Sequence, residues 1–192
     1  CMQENKEKQY IFFKRYLNGY DSVATQRDST NVSECLPIFF RNDLFKLEYF
    51  ETFWLSDTPN IMSNTWELAY YRICTYVILK NKSTNKKFIV ANTHLDYKSE
   101  DIQEKSIQLI HNKLKDFNLP TLIMGDFNCT PESKAILFAK QYYTDIGIGY
   151  NDENKGTINN FKNEYPNIKI DYILQLNNSF IVNDYKVIDK KY

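Results

Sequence analysis

The stretch LIMGDFNCTPES, residues 122–133, turns an apolar run directly into polar chemistry. Leu122, Ile123 and Met124 read as a buried strand. Gly125 lets another group approach the backbone closely. An acid follows at once, and a carboxylate at the end of a buried strand is costly unless it is paired or bound to a metal. Side chains alternate along a strand, so Asp126 and Asn128 point one way and Phe127 points back into the core. Thr130 then suits a helix N-cap, Pro131 the first helical position and Glu132 the positive helix end. The stretch therefore predicts strand, short polar tip and helix. An Asx-turn that merely closes the strand accounts for the same Asp-x-Asn pattern.

Outward from this stretch the chain alternates strand and helix patterns. Residues 99–117, SEDIQEKSIQLIHNKLKDF, place Ile102, Ile107, Ile110, Leu114 and Phe117 at helical spacing. Residues 72–80, RICTYVILK, and 87–95, KFIVANTHL, are two strands joined by the polar turn NKSTNK, which predicts a hairpin. Further strands are expected in DSVATQ, CLPIFFR, FKLEYFETFWLS, NIKIDYILQL and SFIVNDYKVI, and at Cys1 itself. A helix is expected over residues 5–17, NKEKQYIFFKRYL. Hairpins and helix crossovers together predict an α/β (α+β) sandwich with mixed sheets.

Composition narrows the function. The 192 residues hold 43% hydrophobic residues, 13 Phe and 15 Tyr, which excludes a disordered chain. Lys and Arg total 24 and Asp and Glu total 24, so no broad basic surface is available to wrap nucleic acid. The four cysteines lack CxxC spacing, which argues against structural zinc and favours a reduced, cytoplasmic protein. No apolar run nears the roughly 20 residues of a membrane span. Only two histidines occur, with no GxSxG and no Gly-rich phosphate loop. His111, in the long helix, is expected to be solvated.

Polar tips recur at strand ends: Gln3-Glu4, Asn92 to Asp96 (NTHLD), Gly125 to Asn128 (GDFN) and Ile170 to Ile173 (IDYI). In this order they resemble the endonuclease/exonuclease/phosphatase superfamily of metal-dependent phosphoesterases. PIFFRNDLFKLEYFETFWLSDTP and RICTYVILK resemble its bacterial branch. The resemblance implies a DNase I-like four-layer sandwich, two mixed β-sheets with helices on the outer faces, forming one domain over residues 1–192. It implies Mg²⁺ or Mn²⁺ as cofactor, with Glu4 as the metal ligand. It makes His94 a phosphate-facing histidine oriented by Glu34, with its charge raised by that carboxylate. Asp126 would position or deprotonate the attacking water, Asn128 would donate to phosphorane oxygens, and Asp171 would support the constellation. Arg72 would aim at phosphate. The implied substrate is a phosphorylated small molecule or nucleic acid, acted on by a monomer. A non-catalytic binding module that keeps the fold is the rival. The family's first Asn-bearing strand and final Ser-Asp-His turn are not in this sequence, so a truncated chain, inactive on its own, is the expectation.

Overall fold

The computed structural model describes residues 1–158 and 168–188. In chain order the elements are β1 (Asn5–Lys6), α1 (Glu7–Tyr16), β2 (Tyr20–Val23), β3 (Glu34–Cys35), β4 (Ile38–Arg41), β5 (Phe45–Trp54), β6 (Ile73–Asn81) and β7 (Lys87–His94). They continue with α2 (Glu100–Leu114), β8 (Thr121–Asp126), α3 (Lys134–Ala139), β9 (Tyr143–Asp145) and β10 (Asp171–Leu176).

Six strands form one sheet in the order β5-β6-β7-β8-β10-β9. Every neighbouring pair is antiparallel except β7 and β8, which run parallel. A parallel pair needs a crossover, and α2 supplies it. The helix starts at Ser99, whose hydroxyl accepts from the Ile102 amide, and Glu100 and Asp101 occupy its positive first turn. Its buried face holds Gln103, Ser106, Ile107, Ile110, His111 and Leu114, which recur every three to four residues.

Strand β6 shows why the sheet lies in the middle of a sandwich. Cys74, Tyr76 and Ile78 pack on the side of α2 and α3, in one core with Ile107, Ile110, Leu114 and Ile136. Val77 and Leu79 pack on the other side, in a second core with Val23, Ile38 and Phe40 of the β2–β4 pair. Both faces are buried, so the strand is apolar at nearly every position. Phe39 points outward from β4 and meets the rings of Tyr10 and Phe13 on α1, at centroid distances of 5.9 and 6.4 Å. The layers are thus helices, six-stranded sheet, small sheet and helix, a mixed α/β sandwich of the expected class.

Among the described residues the smaller sheets are the antiparallel pair β2–β4 and the two-residue pair β1–β3. Three expectations fail. Residues 179–188 form no strand, and Ile181 and Ile188 are 93% and 78% exposed. The place beside β10 is taken by β9, which sequence periodicity misses because it is three residues long. No strand forms at Cys1, where residues 1–4 are irregular. The helix after GDFN begins at Lys134, not behind Thr130. The Ser133 hydroxyl and amide both donate to the Thr130 carbonyl, at 2.7 and 3.1 Å, and close a turn there first.

Gly125 lies opposite Thr93 in the parallel pair. A Cβ at this position would sit 1.9 Å from the Thr93 carbonyl oxygen, and the backbone φ of +146° is one that L side chains rarely adopt. Gly125→Ala should destabilise the fold by more than about 3 kcal/mol, since overpacking and backbone strain add. A urea melt of the variant beside the wild type reads this directly, and an unchanged midpoint would contradict it.

Candidate active site

Strand register brings the polar tips together. His94 ends β7 opposite Asp126 at the end of β8, and Asp126 in turn faces Asp171 at the start of β10. Three titratable groups therefore line up across three adjacent strands. Phe127 is fully buried in the main core and anchors the tip from behind. The Asn128 amide donates to Asp126 Oδ1 at 2.8 Å, and Asn128 takes a left-handed φ of 51°. The Asx-turn is real, and it coexists with the polar tip rather than replacing it.

Two buried amides hold the surrounding segments. Asn92 accepts from Gln3 Nε2 at 2.7 Å and donates to the Met2 carbonyl at 2.9 Å, which ties the segment bearing Glu4 to β7. Gln103 of α2 donates to the carbonyls of Asp96 and Asn128, at 2.7 and 2.9 Å, and so joins the tips of β7 and β8. Glu4 has a left-handed φ of 54°, an unusual conformation for a residue with a side chain. Thr157 Oγ1 accepts from the amides of Ile170 and Asp171, at 3.0 and 3.1 Å.

These residues line a pocket of about 630 Å³. It takes in Glu4, Glu34, Arg72, His94, Asp126, Asn128 and Asp171, which are all the positions singled out from sequence. It also takes in Arg27, Tyr70 and Thr157, which sequence reasoning missed. Nothing local marks Arg27. The isolated bridge between Gln26 and Cys35, with the Arg27 amide donating to the Glu34 carbonyl, sets it beside the pocket.

Charge is segregated within the pocket. Burial, then the nearby Asp171, push Asp126 up to about 6, against opposition from the Asn128 amide and Arg72. Burial likewise raises Asp171, and its bond to Thr157 opposes this. Arg72 is only 5% exposed, and burial and the neighbouring Arg27 both disfavour its charge. Asp171 and Glu4 lie near enough to act on Asp126, while the guanidiniums group around Tyr70, whose ring lies 4.9 Å from that of Arg27 and 5.8 Å from that of Arg72, with Glu34 paired to Arg27.

Three expectations are corrected here. Glu34 does not orient His94: its carboxylate pairs with Arg27 at 2.6 Å, because the bridge places that guanidinium beside it. The acid facing His94 is Asp126, with Oδ2 3.7 Å from Nε2. Nor is the imidazole charged. Burial, then Arg72 and Arg27, push it down to about 3, so it is neutral at pH 7. His111 is not solvated either. It is buried, bonded to the Tyr143 hydroxyl at 3.1 Å and stacked on Tyr142 at 4.1 Å. Asp96 lies under the tip, where its Oδ2 accepts from the Lys98 amide at 3.0 Å.

The donors at the acidic end are oxygen atoms, from Glu4, Asp126, Asp171 and Asn128, and oxygen suits a hard divalent cation. Among the described residues no three His, Cys, Asp or Glu side chains form a complete metal cage. Mg²⁺ is commonly held by one or two carboxylates, waters and substrate phosphate, so a partial protein site fits it.

A sandwich with this pocket at its strand ends is the architecture of a known class. The chain is similar to an endonuclease/exonuclease/phosphatase family protein from Bacteroides thetaiotaomicron, at 29% identity and a TM-score of 0.79 over 91% of this chain and 66% of that one. It is similar to a mannosyl-6-phosphatase from the same organism, at 29% identity and a TM-score of 0.78 over 92% and 70%. It is also similar to an endonuclease/exonuclease/phosphatase from Bacteroides vulgatus, at 29% identity and a TM-score of 0.80 over 92% and 72%. The chain thus spans about two thirds of their length. No family model and no curated protein matches it. The chain has the DNase I-like fold of these proteins and resembles the endonuclease/exonuclease/phosphatase superfamily over more than nine tenths of its length. Among the described residues no helix is long and apolar enough to cross a membrane, and the four cysteines are free.

The raised Asp126 makes a stability prediction. Its folded value of about 6 exceeds the ordinary 3.8, so between these pH values the folded protein binds more protons than the unfolded chain. Its contribution to stability therefore falls as pH rises through that window. His94 works in the opposite sense below 6.5, since only the unfolded imidazole takes a proton there. The difference between Asp126→Asn and wild type isolates the acid. The variant should gain up to about 3 kcal/mol at pH 7, and the gain should vanish near pH 4. Denaturant melts of the chelator-treated proteins across this range measure it, and a gain that does not change with pH would contradict it.

Proposed function

We propose that the chain is the catalytic portion of a Mg²⁺- or Mn²⁺-dependent phosphoesterase acting on a small phosphorylated substrate. One observation carries this reading: a single pocket gathers the carboxylates of Glu4, Asp126 and Asp171, a neutral histidine, an amide, and the guanidiniums of Arg27 and the buried Arg72. Hydrolysis of a phosphoester needs both ends. The acidic end suits a cation and a water, and the basic end suits the phosphoryl oxygens.

Glu4 and its acidic neighbours would hold the cation, which when bound supplies Lewis-acid activation of the phosphoryl group. Asp126 would take the proton of the attacking water. A base near pH 6 is still ionised at pH 7 while remaining basic enough to accept. Oδ1 is engaged by the Asn128 amide, which fixes the orientation of the carboxylate. The Asn128 side chain gives one N–H to the Leu95 carbonyl at 3.0 Å and keeps a second for an oxyanion. The neutral His94 would act as a hydrogen-bonding group rather than as a fixed positive charge. Arg72 would neutralise phosphate charge directly. A sugar phosphate is supported by the mannosyl-6-phosphatase among the similar structures and by the balanced net charge, which offers little to a long polyanion.

The test is phosphate release from mannose 6-phosphate, bis(p-nitrophenyl) phosphate and a short oligonucleotide, with Mg²⁺, with Mn²⁺ and then with chelator. The 192-residue chain and a longer product of the same gene are assayed side by side, which also checks the expectation that the short form has little activity. The sugar phosphate should turn over fastest, and chelator should abolish it. No metal-dependent turnover of any substrate by either protein would overturn the proposal. In the active form Asp126→Ala should lower kcat by on the order of 10²–10³-fold with little change in KM. Glu4→Gln should raise the Mg²⁺ concentration needed for half activity, and excess Mg²⁺ should restore much of the rate.

A further inference from the structure

The basic half of the pocket is built at a cost that a structural role does not explain. Arg27 and Arg72 are like charges, and Arg27 disfavours the charge of Arg72. Both lie over the ring of Tyr70. Both carry a buried Nε–H with no hydrogen-bond partner among the described residues. Glu34 holds Arg27 through a terminal nitrogen only, at 2.6 Å, and Asp28 approaches its Nε no closer than 3.6 Å. Buried donors left unpaired are expensive, and both arginines that carry them line the one pocket.

Resting on the phosphoesterase reading of this pocket, we propose that Arg27 and Arg72 form a two-guanidinium clamp for a phosphomonoester dianion. Arg27 is then the residue that sets preference for monoesters over diesters. The chemistry distinguishes the two ligands. A phosphomonoester carries close to two negative charges at pH 7 and three free acceptor oxygens. A diester has one charge and two free oxygens, enough for one guanidinium. Guanidinium recognises such oxygens in pairs. The carboxylates across the pocket repel any anion, so a second cation matters more here than in a neutral site. Glu34 orients Arg27 and also competes with the phosphate for it.

Binding, measured with chelator present so that no turnover occurs, separates this proposal from the catalytic one. Methyl phosphate and dimethyl phosphate are titrated into the wild-type protein and into Arg27→Gln, Arg27→Lys and Glu34→Gln, with thermal melts to confirm folding. Wild type should bind methyl phosphate about tenfold more tightly than dimethyl phosphate, and Arg27→Gln should bring the two within about twofold. Arg27→Lys, which keeps the charge and loses the fork, should fall between. Glu34→Gln leaves the arginine and removes its competitor, so it should bind methyl phosphate at least as tightly as wild type. This variant decides the matter if Arg27→Gln does not fold. Equal affinity for both ligands in wild type, an undiminished preference in Arg27→Gln, or weaker monoester binding in Glu34→Gln would each overturn the clamp. Selective binding without hydrolysis of any substrate would leave the clamp standing and sink the phosphoesterase reading.

Discussion

The structure depends on the contact between the Thr93 carbonyl and the bare Cα of Gly125. It lies within the one parallel pair of an otherwise antiparallel sheet, next to the residues that end both strands. Parallel pairing sets His94 against Asp126, and the antiparallel neighbour β10 sets Asp171 against the same acid. A side chain at position 125 would push the strands apart where the tips must meet. The α2 crossover that makes the pairing parallel also delivers Gln103, whose single amide nitrogen bonds the carbonyls behind both tips. Topology and site geometry are one constraint here.

The pocket is electrostatically unfavourable by itself. Two acids face each other in register, a third lies nearby, and two guanidiniums crowd one tyrosine. The rest of the fold must offset this. Phe127 is fully buried directly behind Asp126, and burial of such a side chain contributes about 1.5–3 kcal/mol. The main core continues from it through Tyr172, at a ring distance of 5.3 Å, whose hydroxyl donates to the Cys129 carbonyl. Residues on each side of the acid are thus among the best held, as expected where strain is kept for binding or catalysis.

Legibility in the sequence followed the range of the interactions involved. Strands β6, β7 and β8 and helix α2 were readable because burial on defined faces writes a period into the residues. Strand β9 and the irregular 179–188 segment were not, since which of them lies beside β10 is a tertiary competition that apolar content does not record. The acids, the amide and Arg72 were reached through the family resemblance of the strand-end tips, and the fold brings them to one pocket. Arg27 was not, because a single bridge between Gln26 and Cys35 sets its place. That same bridge took Glu34 away from His94. The charge of His94 was misjudged for a related reason: burial and two arginines, all contributed by distant parts of the chain, hold the imidazole neutral. His111 carries the same lesson, since Tyr142 and Tyr143 lie about thirty residues further on.

The Asx-turn and the polar tip of the pocket are not rival accounts of GDFN. A carboxylate has two oxygens, and the turn uses one. Oδ1 of Asp126 accepts the Asn128 amide and so fixes the plane of the group. Oδ2 remains on the pocket side, 3.7 Å from the His94 imidazole and free of a hydrogen bond to the turn. The left-handed backbone at Asn128 that completes the turn also swings its side chain to the Leu95 carbonyl, at the end of the neighbouring tip. The chain must turn to leave the strand, and the proposed chemistry calls for an oriented acid beside an amide in the pocket. Asp-x-Asn meets both demands with the same two side chains, which is why turn chemistry at a strand end neither proves nor excludes a site. What separates the cases is what stands opposite the free oxygen. Here that is a buried imidazole, a second acid in register and two guanidiniums whose Nε–H groups lack acceptors among the described residues.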